Sequence, residues 1–202
     1  RCFHIQKLAE NQLSKFEKKY GSKGSSILVM NPNNGEIYAM ANSTSYNLES
    51  PRDDKNLLKK YSQSQVNKMS EKEKTKAFNE IWKNPIVSNA FEPGSTYKPF
   101  TVAAGLEEGI LKGNETYYCD GYQKVGPHTI HCSHRSGHGL ITLSQSISLS
   151  CNDALMQIAA KEGKNVFARY QKNFNFGNKT GIDLPGEAQT ASLLHDAKDM
   201  TA

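Results

Sequence analysis

The sequence predicts an α/β (α+β) fold in which an antiparallel sheet is flanked by helices. Three observations predict it: a helical apolar repeat near the start, two β-rich runs around an Asn-Gly turn, and further helical segments after residue 94. The chain has 202 residues, which suits one domain, and its 37% hydrophobic content permits a packed core. We therefore expect residues 1–202 to belong to a single domain.

The first elements are the clearest. Apolar residues at helical spacing predict a helix over 4–20. The runs 26–30 and 36–40 flank the Asn34-Gly35 turn and predict a hairpin, which supplies two strands of the sheet. The polar stretch that follows contains a predicted helix over 70–82.

The second half begins at Glu92-Pro-Gly94, which interrupts the pattern before an amphipathic helix from about Ser95 to Gly109. Residues 114–140 show little regular pattern, apart from a possible hairpin over 123–130. Helical segments are predicted at about 142–149 and 152–162, and residues 181–186 are typical of a loop.

The charge pattern argues against a nucleic-acid partner. The net charge is +5, but the lysines alternate with acidic residues, and no basic run is interleaved with stacking aromatics. No apolar run approaches the roughly 18 to 20 residues that span a bilayer. We expect any membrane anchor to lie outside this sequence.

A serine and a lysine at helical spacing carry the candidate chemistry. Ser95 and Lys98 are three residues apart, so a helix places them on one face. A serine hydroxyl needs a base to become a useful nucleophile, and a lysine can serve when burial lowers its pKa. The bare spacing is common, and in most chains such a serine would be a helix cap beside a solvated lysine.

The residues around this pair resemble the penicillin-binding proteins. The block Glu92-Pro-Gly-Ser-Thr-Tyr-Lys-Pro-Phe100 is similar to their active-site block, and Ser150-Cys-Asn152 is similar to their second motif, Ser-x-Asn. The hairpin at 24–42 and the stretch Gly181-Ile-Asp-Leu-Pro-Gly-Glu187 resemble two further blocks of the class B, monofunctional members. Within that class the sequence is most similar to the cell-division and sporulation transpeptidases of Gram-positive spore formers.

The resemblance implies a peptidoglycan D,D-transpeptidase with a penicillin-recognising serine transpeptidase fold. Ser95 would attack the penultimate D-alanine of a stem peptide, and Lys98 would accept its proton. Ser150 would relay a proton to the leaving group, while Asn152 would hold the substrate amide and orient Lys98. β-Lactams would acylate Ser95, and no organic cofactor is implied.

The family's third motif, Lys-(Ser/Thr)-Gly, has no convincing match. Lys179-Thr-Gly181 directly precedes the Ile-Asp-Leu-Pro stretch, so we interpret it as part of a loop and a chance match. The resemblance then implies that the true motif and the closing strands lie after Ala202, so that the domain is incomplete at its C-terminus.

Cysteines and histidines cluster between the two catalytic motifs. Three of the four cysteines and four of the six histidines fall there. Three thiolates and one imidazole make a tetrahedral Zn²⁺ site. Our preferred ligand set is Cys119, Cys132, His138 and Cys151, with His134 or His131 as alternatives to His138. The zinc would be structural.

Two plainer interpretations of the cysteines stay open. Cys119 and Cys132 would suit a disulfide in a protein that works outside the cytoplasm, and Cys151 would suit a small buried position. The histidines would then be ordinary loop residues.

Two other functions also stay open. A serine β-lactamase or β-lactam sensor would share the catalytic motifs but would not make crosslinks. A non-catalytic, zinc-stabilised binding module would explain the cysteines but not the block around Ser95. For the transpeptidase, the resemblance implies stem peptides of the lipid-linked precursor as substrate and a membrane glycosyltransferase as partner. It places the catalytic domain on the extracytoplasmic face of the cell membrane.

Overall fold

A computed structural model describes residues 3–22 and 24–200. Clustering of the chain gives two compact units, Arg1–Asn89 with Ile182–Ala188 and Ala90–Gly181 with Gln189–Ala202. The expectation that residues 1–202 form one domain stays a prediction. In the described ranges, no helix is long and apolar enough to cross a membrane.

The first unit opens with the helix and hairpin that the sequence predicts. Helix α1 spans Phe3–Tyr20, strand β1 spans Ser26–Met30 and strand β2 spans Ile37–Asn42. The two strands pair antiparallel, with Ile27 opposite Ala41. The Gln6 side chain binds both backbone groups of Met40, so it fixes α1 to β2 (2.9 and 3.0 Å).

The rest of this unit is helical and has its own small core. A 3-10 helix (Asp54–Lys59) precedes α2 (Gln63–Lys68), α3 (Glu71–Trp82) and α4 (Pro85–Ser88). Ser70 caps α3 in a reciprocal capping box with Glu73, which explains why this helix was predictable. The core residues are Leu57, Val66, Ala77, Phe78 and Ile81.

The second unit holds the residues of the catalytic motifs. A 3-10 turn (Gly94–Tyr97) leads into α5 (Lys98–Glu107), and four short strands follow: β3 (Thr116–Cys119), β4 (Tyr122–Val125), β5 (His128–His131) and β6 (Gly139–Thr142). The unit then continues through α6 (Leu143–Ser148) and α7 (Asn152–Asn173). Strand β3 pairs antiparallel with β6, and β4 pairs antiparallel with β5.

These elements confirm the fold class and correct some boundaries. Sheets in the described residues are antiparallel pairs beside helices. Strands β3 and β6 lie in the stretch that showed little pattern, while the predicted hairpin over 123–130 is present as β4 and β5. The helix predicted over 152–162 is present, and after Gly163, whose backbone is not helical, a second helical segment continues α7 to Asn173.

The core of the second unit brings the cysteines together. Its buried cluster combines side chains from β3, β6, α6 and the first half of α7: Leu111, Tyr117, Cys119, Cys132, Ile141, Leu143, Cys151, Ala154, Leu155 and Ile158. Three cysteines in one apolar cluster are therefore surrounded by side chains that exclude water.

Candidate active site

Ser95 lies in a tight turn directly before α5. Gly94 has a φ of +54°, a value that favours glycine, and the Ser95 carbonyl accepts the backbone N–H of Lys98. The ring of Tyr97 packs 5.4 to 5.5 Å from its neighbours and anchors the turn; these neighbours are Phe100, Phe167 and Phe176. The Ser95 side chain is exposed. The turn thus presents the hydroxyl to solvent on an anchored backbone.

The amine of Lys98 connects the first motif to the second. Its Nζ donates to the Ser150 carbonyl oxygen (2.7 Å), to the Ser150 Oγ (3.0 Å) and to the Asn152 Oδ1 (2.7 Å). These three bonds fix the position of the amine one turn beyond Ser95. The structure therefore brings together three of the four motif residues, Lys98, Ser150 and Asn152, and Ser95 lies one turn before Lys98 in the chain.

Burial lowers the pKa of Lys98, because a partly buried ammonium loses hydration. Negative charge on Cys132 and Cys151 would oppose this effect and raise the pKa. A lowered pKa increases the fraction of neutral amine near pH 7, which is the form that can accept a proton.

The backbone of Ser150 adopts an unusual conformation. Its φ is +50°, in the left-handed region that non-glycine residues rarely adopt. Such a conformation costs on the order of 1 kcal/mol or more and persists only where the surroundings impose it. Here the Ser150 N–H donates to Ile147 and the Cys151 N–H donates to Ser146, so the turn between α6 and α7 is held from both sides. The conformation directs the Ser150 carbonyl oxygen and Oγ to the same amine.

The amide of Asn152 is oriented by partners on both of its ends. Its Oδ1 accepts from Lys98, and its Nδ2 donates to the His131 carbonyl oxygen at the end of β5 (3.1 Å). Because Nδ2 carries two hydrogens, one N–H remains for a substrate carbonyl. The contact with His131 was not foreseen from the sequence, where the predicted hairpin and the histidine cluster pointed to this region but not to a backbone carbonyl.

The four proposed metal ligands converge in the core of the unit. The ligand atoms of Cys119, Cys132, His138 and Cys151 all lie within 4.8 Å of one another. His138 Nδ1 is 3.5 Å from the Cys119 Sγ and 3.6 Å from the Cys132 Sγ, and the Sγ atoms of Cys132 and Cys151 are 3.8 Å apart. The ligand set stays a prediction, and these distances can be compared with the distances between ligand atoms around a tetrahedral metal ion.

The other interpretations of this region fare differently in the structure. Cys119, Cys132 and Cys151 are all unbridged, and Cys2 lies outside the described residues. The His134 Nε2 lies 3.0 Å from the Ser136 Oγ, and the His131 ring lies against Tyr122. Of the three histidines considered, only His138 belongs to the convergent group.

The thiols of Cys132 and Cys151 differ in acidity. Burial alone would raise the pKa of Cys132, but backbone N–H groups of His134, Asn152 and Asp153 outweigh burial and lower it. Burial raises the pKa of Cys151, and the neighbouring cysteines raise it further. Three N–H groups at the Cys132 sulfur favour a thiolate there, which is the form that binds metals.

Two glycines allow the ligand-bearing loops to approach closely. Gly121 and Gly137 both have positive φ, and a Cβ on either would lie 2.2 to 2.3 Å from a backbone oxygen of the opposite loop. The segment after Cys119 therefore packs directly on the segment before His138.

Lys179, Thr180 and Gly181 lie in an irregular segment after α7, as the loop interpretation predicted.

With this geometry, the fold and the motif residues can be compared with known proteins. The family model "Penicillin binding protein transpeptidase domain" matches residues 25–196, and the chain belongs to this family.

Two curated relatives illustrate the similarity of the sequence. The chain is 33% identical over 184 residues to "Stage V sporulation protein D" of Bacillus subtilis, covering 91% of this chain and 25% of that protein. It is 28% identical over 192 residues to "Peptidoglycan D,D-transpeptidase MrdA" of Acinetobacter baumannii, covering 93% of this chain and 25% of that protein. The chain thus spans about a quarter of the length of these relatives.

Solved structures share the fold. The D,D-transpeptidase domain of a peptidoglycan glycosyltransferase from Eggerthella lenta superposes with a TM-score of 0.74 at 24% identity, over 98% of this chain and 41% of that chain. PBP2 of Pseudomonas aeruginosa superposes with a TM-score of 0.66 at 25% identity, over 91% of this chain and 37% of that chain.

Proposed function

We propose that this chain carries the acylating residues of a peptidoglycan D,D-transpeptidase, with Ser95 as the nucleophile. The observation that carries the proposal is the hydrogen bonding of one amine, Lys98 Nζ, to both Ser150 and Asn152. Lys98, the proposed base, lies one turn from Ser95 and is oriented by the side chains of Ser150 and Asn152. A serine beside an oriented base is the arrangement of an activated nucleophile. Membership of the penicillin-binding protein transpeptidase family supports the same reaction.

In the proposed reaction, the Ser95 Oγ attacks the carbonyl carbon of the penultimate D-alanine while neutral Lys98 accepts the hydroxyl proton. The backbone N–H of Ser95 donates to the developing oxyanion. The amide bond then breaks, and Ser150 passes a proton to the amine of the departing D-alanine. An amine from a second stem peptide attacks the acyl-enzyme, forms the crosslink and releases Ser95.

Labelling of the full-length protein with a fluorescent penicillin tests this proposal. We expect covalent labelling of the wild type and none of Ser95→Ala. The matched control is Ser144→Ala, which removes an exposed hydroxyl on α6 and should label like the wild type. Labelling that persists in Ser95→Ala would contradict the proposal.

The same label also separates the transpeptidase from two of its alternatives. A β-lactamase would lose the label within seconds to minutes through hydrolysis, whereas a transpeptidase would retain it. A non-catalytic binding module would never become labelled. A β-lactam sensor would also retain the label, and it would differ in forming no crosslinks. We expect slow loss, since one of the relatives is named as a peptidoglycan D,D-transpeptidase.

We also propose that Cys119, Cys132, His138 and Cys151 hold a structural Zn²⁺ ion. Zn–S bonds of about 2.3 Å in a tetrahedron place sulfurs about 3.8 Å apart, and a sulfur and an imidazole nitrogen about 3.6 Å apart. The separations of 3.8, 3.5 and 3.6 Å support this geometry. With four protein ligands the ion would have no open position, so its role would be to fix the Cys151 backbone between Ser150 and Asn152.

Metal analysis with and without a chelator tests the zinc proposal. We expect about one zinc per protein, and slower penicillin acylation after its removal. His138→Ala should lose the metal, whereas His134→Ala should keep it, because His134 lies beside the group without belonging to it. Metal-free protein with unchanged acylation would refute the proposed role.

The proposed substrate implies a location and partners. Crosslinking of stem peptides takes place outside the cytoplasm, so we propose that the domain works on the extracytoplasmic face of the cell membrane. A membrane glycosyltransferase that polymerises the glycan is the proposed partner. The septum, elongation and the spore cortex are the candidate processes, and similarity to "Stage V sporulation protein D" favours sporulation.

A further inference from the structure

A fully buried carboxylate, Asp153, lies next to the second motif and has no role in the proposed reaction. It occupies the first turn of α7, directly after Asn152. Burying a carboxylate is costly unless hydrogen bonds replace its water. The side chain therefore needs donors, and its donors come from more than one element.

Three N–H groups bind the Asp153 carboxylate. The Asp120 backbone N–H donates to Oδ2 (3.1 Å), and Gln123 Nε2 and Gln157 Nε2 donate to Oδ1 (2.6 and 2.7 Å). Gln157 lies one turn further along α7 itself. The other two donors lie in the turn after β3 and in β4, so the carboxylate connects the start of α7 to both.

The strand register links Gln123 to the catalytic amide. Gln123 pairs with Ile130, and the neighbouring pair is Tyr122 with His131. The His131 carbonyl oxygen is the acceptor for Asn152 Nδ2. Gln123, which binds the Asp153 carboxylate, is thus one residue pair away from His131, whose carbonyl oxygen orients Asn152.

We propose that Asp153 is a positioning residue, which holds the β4–β5 hairpin so that the His131 carbonyl oxygen orients the Asn152 amide. This inference rests on the proposed function, because it concerns the amide that receives the substrate. Without the anchor, the hairpin would still form through its own strand pairing, but its distance from Asn152 would vary. The Asn152 amide would then lose one of its two orienting partners.

Two glutamine substitutions separate positioning from general stability. Gln123→Leu removes the donor on the hairpin and keeps a side chain of similar size. Gln157→Leu, the matched control, removes a donor to the same oxygen from α7, and with it the bond from Gln157 Nε2 to the Tyr118 carbonyl oxygen on β3 (2.8 Å). It leaves the bond between the hairpin and Asp153 in place. Both variants should lower the melting temperature to a similar extent.

The readout is acylation of the full-length, metal-loaded protein by a penicillin, resolved into the affinity of the initial complex and the acylation rate constant. We expect Gln123→Leu to lower the rate constant about 10- to 100-fold, as small misplacements of catalytic groups do. Gln157→Leu should acylate at the wild-type rate. If Asp153→Asn folds, adding it to Gln123→Leu should cause little further loss of rate.

Two outcomes would overturn the inference: equal rate constants in Gln123→Leu and the wild type, or equal losses in both glutamine variants. Neither depends on the Asp153 substitution. If the wild type itself is not acylated, the proposed function fails. If the wild type is acylated and Gln123→Leu matches it, only the positioning role fails.

Discussion

Lys98 must be neutral to activate Ser95, because only a neutral amine can accept the proton of the serine hydroxyl. As an ammonium it makes three hydrogen bonds, to two atoms of Ser150 and one of Asn152. As a neutral amine it keeps a lone pair that can accept the serine proton. Burial favours the neutral form, since it lowers the Lys98 pKa from its ordinary value of 10.5.

The rate of acylation should therefore rise with pH as Lys98 loses its proton. The inflection should fall below pH 10.5, the ordinary value for a lysine. Lys98→Arg is the informative variant, because a guanidinium stays protonated throughout this range. We expect it to lose about 100-fold or more in rate, the contribution typical of a general base. The measurement is the acylation rate constant of the full-length protein from pH 6 to 11.

A rate that does not change across this range, or an arginine variant as fast as the wild type, would show that Lys98 is not the base.

The four motif residues were predictable from sequence because the blocks around them resemble those of the penicillin-binding proteins, whereas the spacing of Ser95 and Lys98 alone is common. The positive φ of Ser150 was not predictable, since no residue type marks it. The His131 contact was also missed, because a backbone carbonyl carries no side-chain signal. Backbone groups at a site become visible only once the fold is known.

At the scale of the elements, helices α5 and α7 bury a carboxyl group between them. Glu162 on α7 is 6% exposed, and neither of its carboxylate oxygens makes a hydrogen bond of good geometry in the described residues, although the Gly105 backbone lies close enough to act on it. A Cβ on Gly105 of α5 would lie 2.6 Å from Glu162 Oε1, so the glycine makes room for the carboxyl group. Burial raises the pKa of Glu162 from 4.5 to about 7, although the Gly105 backbone opposes part of the rise.

This raised pKa predicts how stability depends on pH. Between pH 4.5 and about 7, the folded protein holds a proton on Glu162 that the unfolded chain has lost. The free energy of unfolding should therefore fall as pH rises through this window, by on the order of 3 kcal/mol. Glu162→Gln should remove most of this fall, and the exposed Glu107→Gln should not. Chemical denaturation at pH 5 and pH 8 measures both.

If the free energy of unfolding of Glu162→Gln falls between pH 5 and pH 8 as much as that of the wild type, this assignment is contradicted.

The elements that the sequence predicted are those with local signals. Helix α3 has its capping box, and the β1–β2 hairpin has its Asn-Gly turn. Strands β3 and β6 were missed because each has four residues and the β4–β5 hairpin is inserted between them, so no short turn joins them in the sequence. The helical segment after Gly163 is held by aromatic packing, because Phe167 on it contacts Tyr97, and Phe174, directly after its end, contacts Phe100.

For the whole molecule, the cysteine and histidine group is the point where distant parts of the second unit meet. Cys119 ends β3, Cys132 follows β5, His138 precedes β6 and Cys151 caps α7. The sequence predicted these four residues as one ligand set but left His134 and His131 as alternatives to His138. The choice of His138 depends on the pairing of β3 with β6, which places it next to Cys119. The proposed zinc would tie these four segments together beside the second motif.

The proposed chemistry depends on the whole second unit and not only on the block around Ser95. The first motif lies at the start of α5 and the second lies at the start of α7, and the Lys98 amine bridges them across 52 to 54 positions in the chain. A serine and a lysine at helical spacing become a candidate nucleophile and base only when the core holds α7 in this position.

The central claim is that Ser95 forms the acyl-enzyme, and peptide mapping by mass spectrometry tests it most directly. The full-length protein would be incubated with benzylpenicillin and digested, and each peptide would be weighed. We predict a gain of one penicilloyl group on the peptide that contains Ser95, and no such gain in Ser95→Ala. A penicilloyl group on a different residue, or no adduct on a folded protein, would contradict the account.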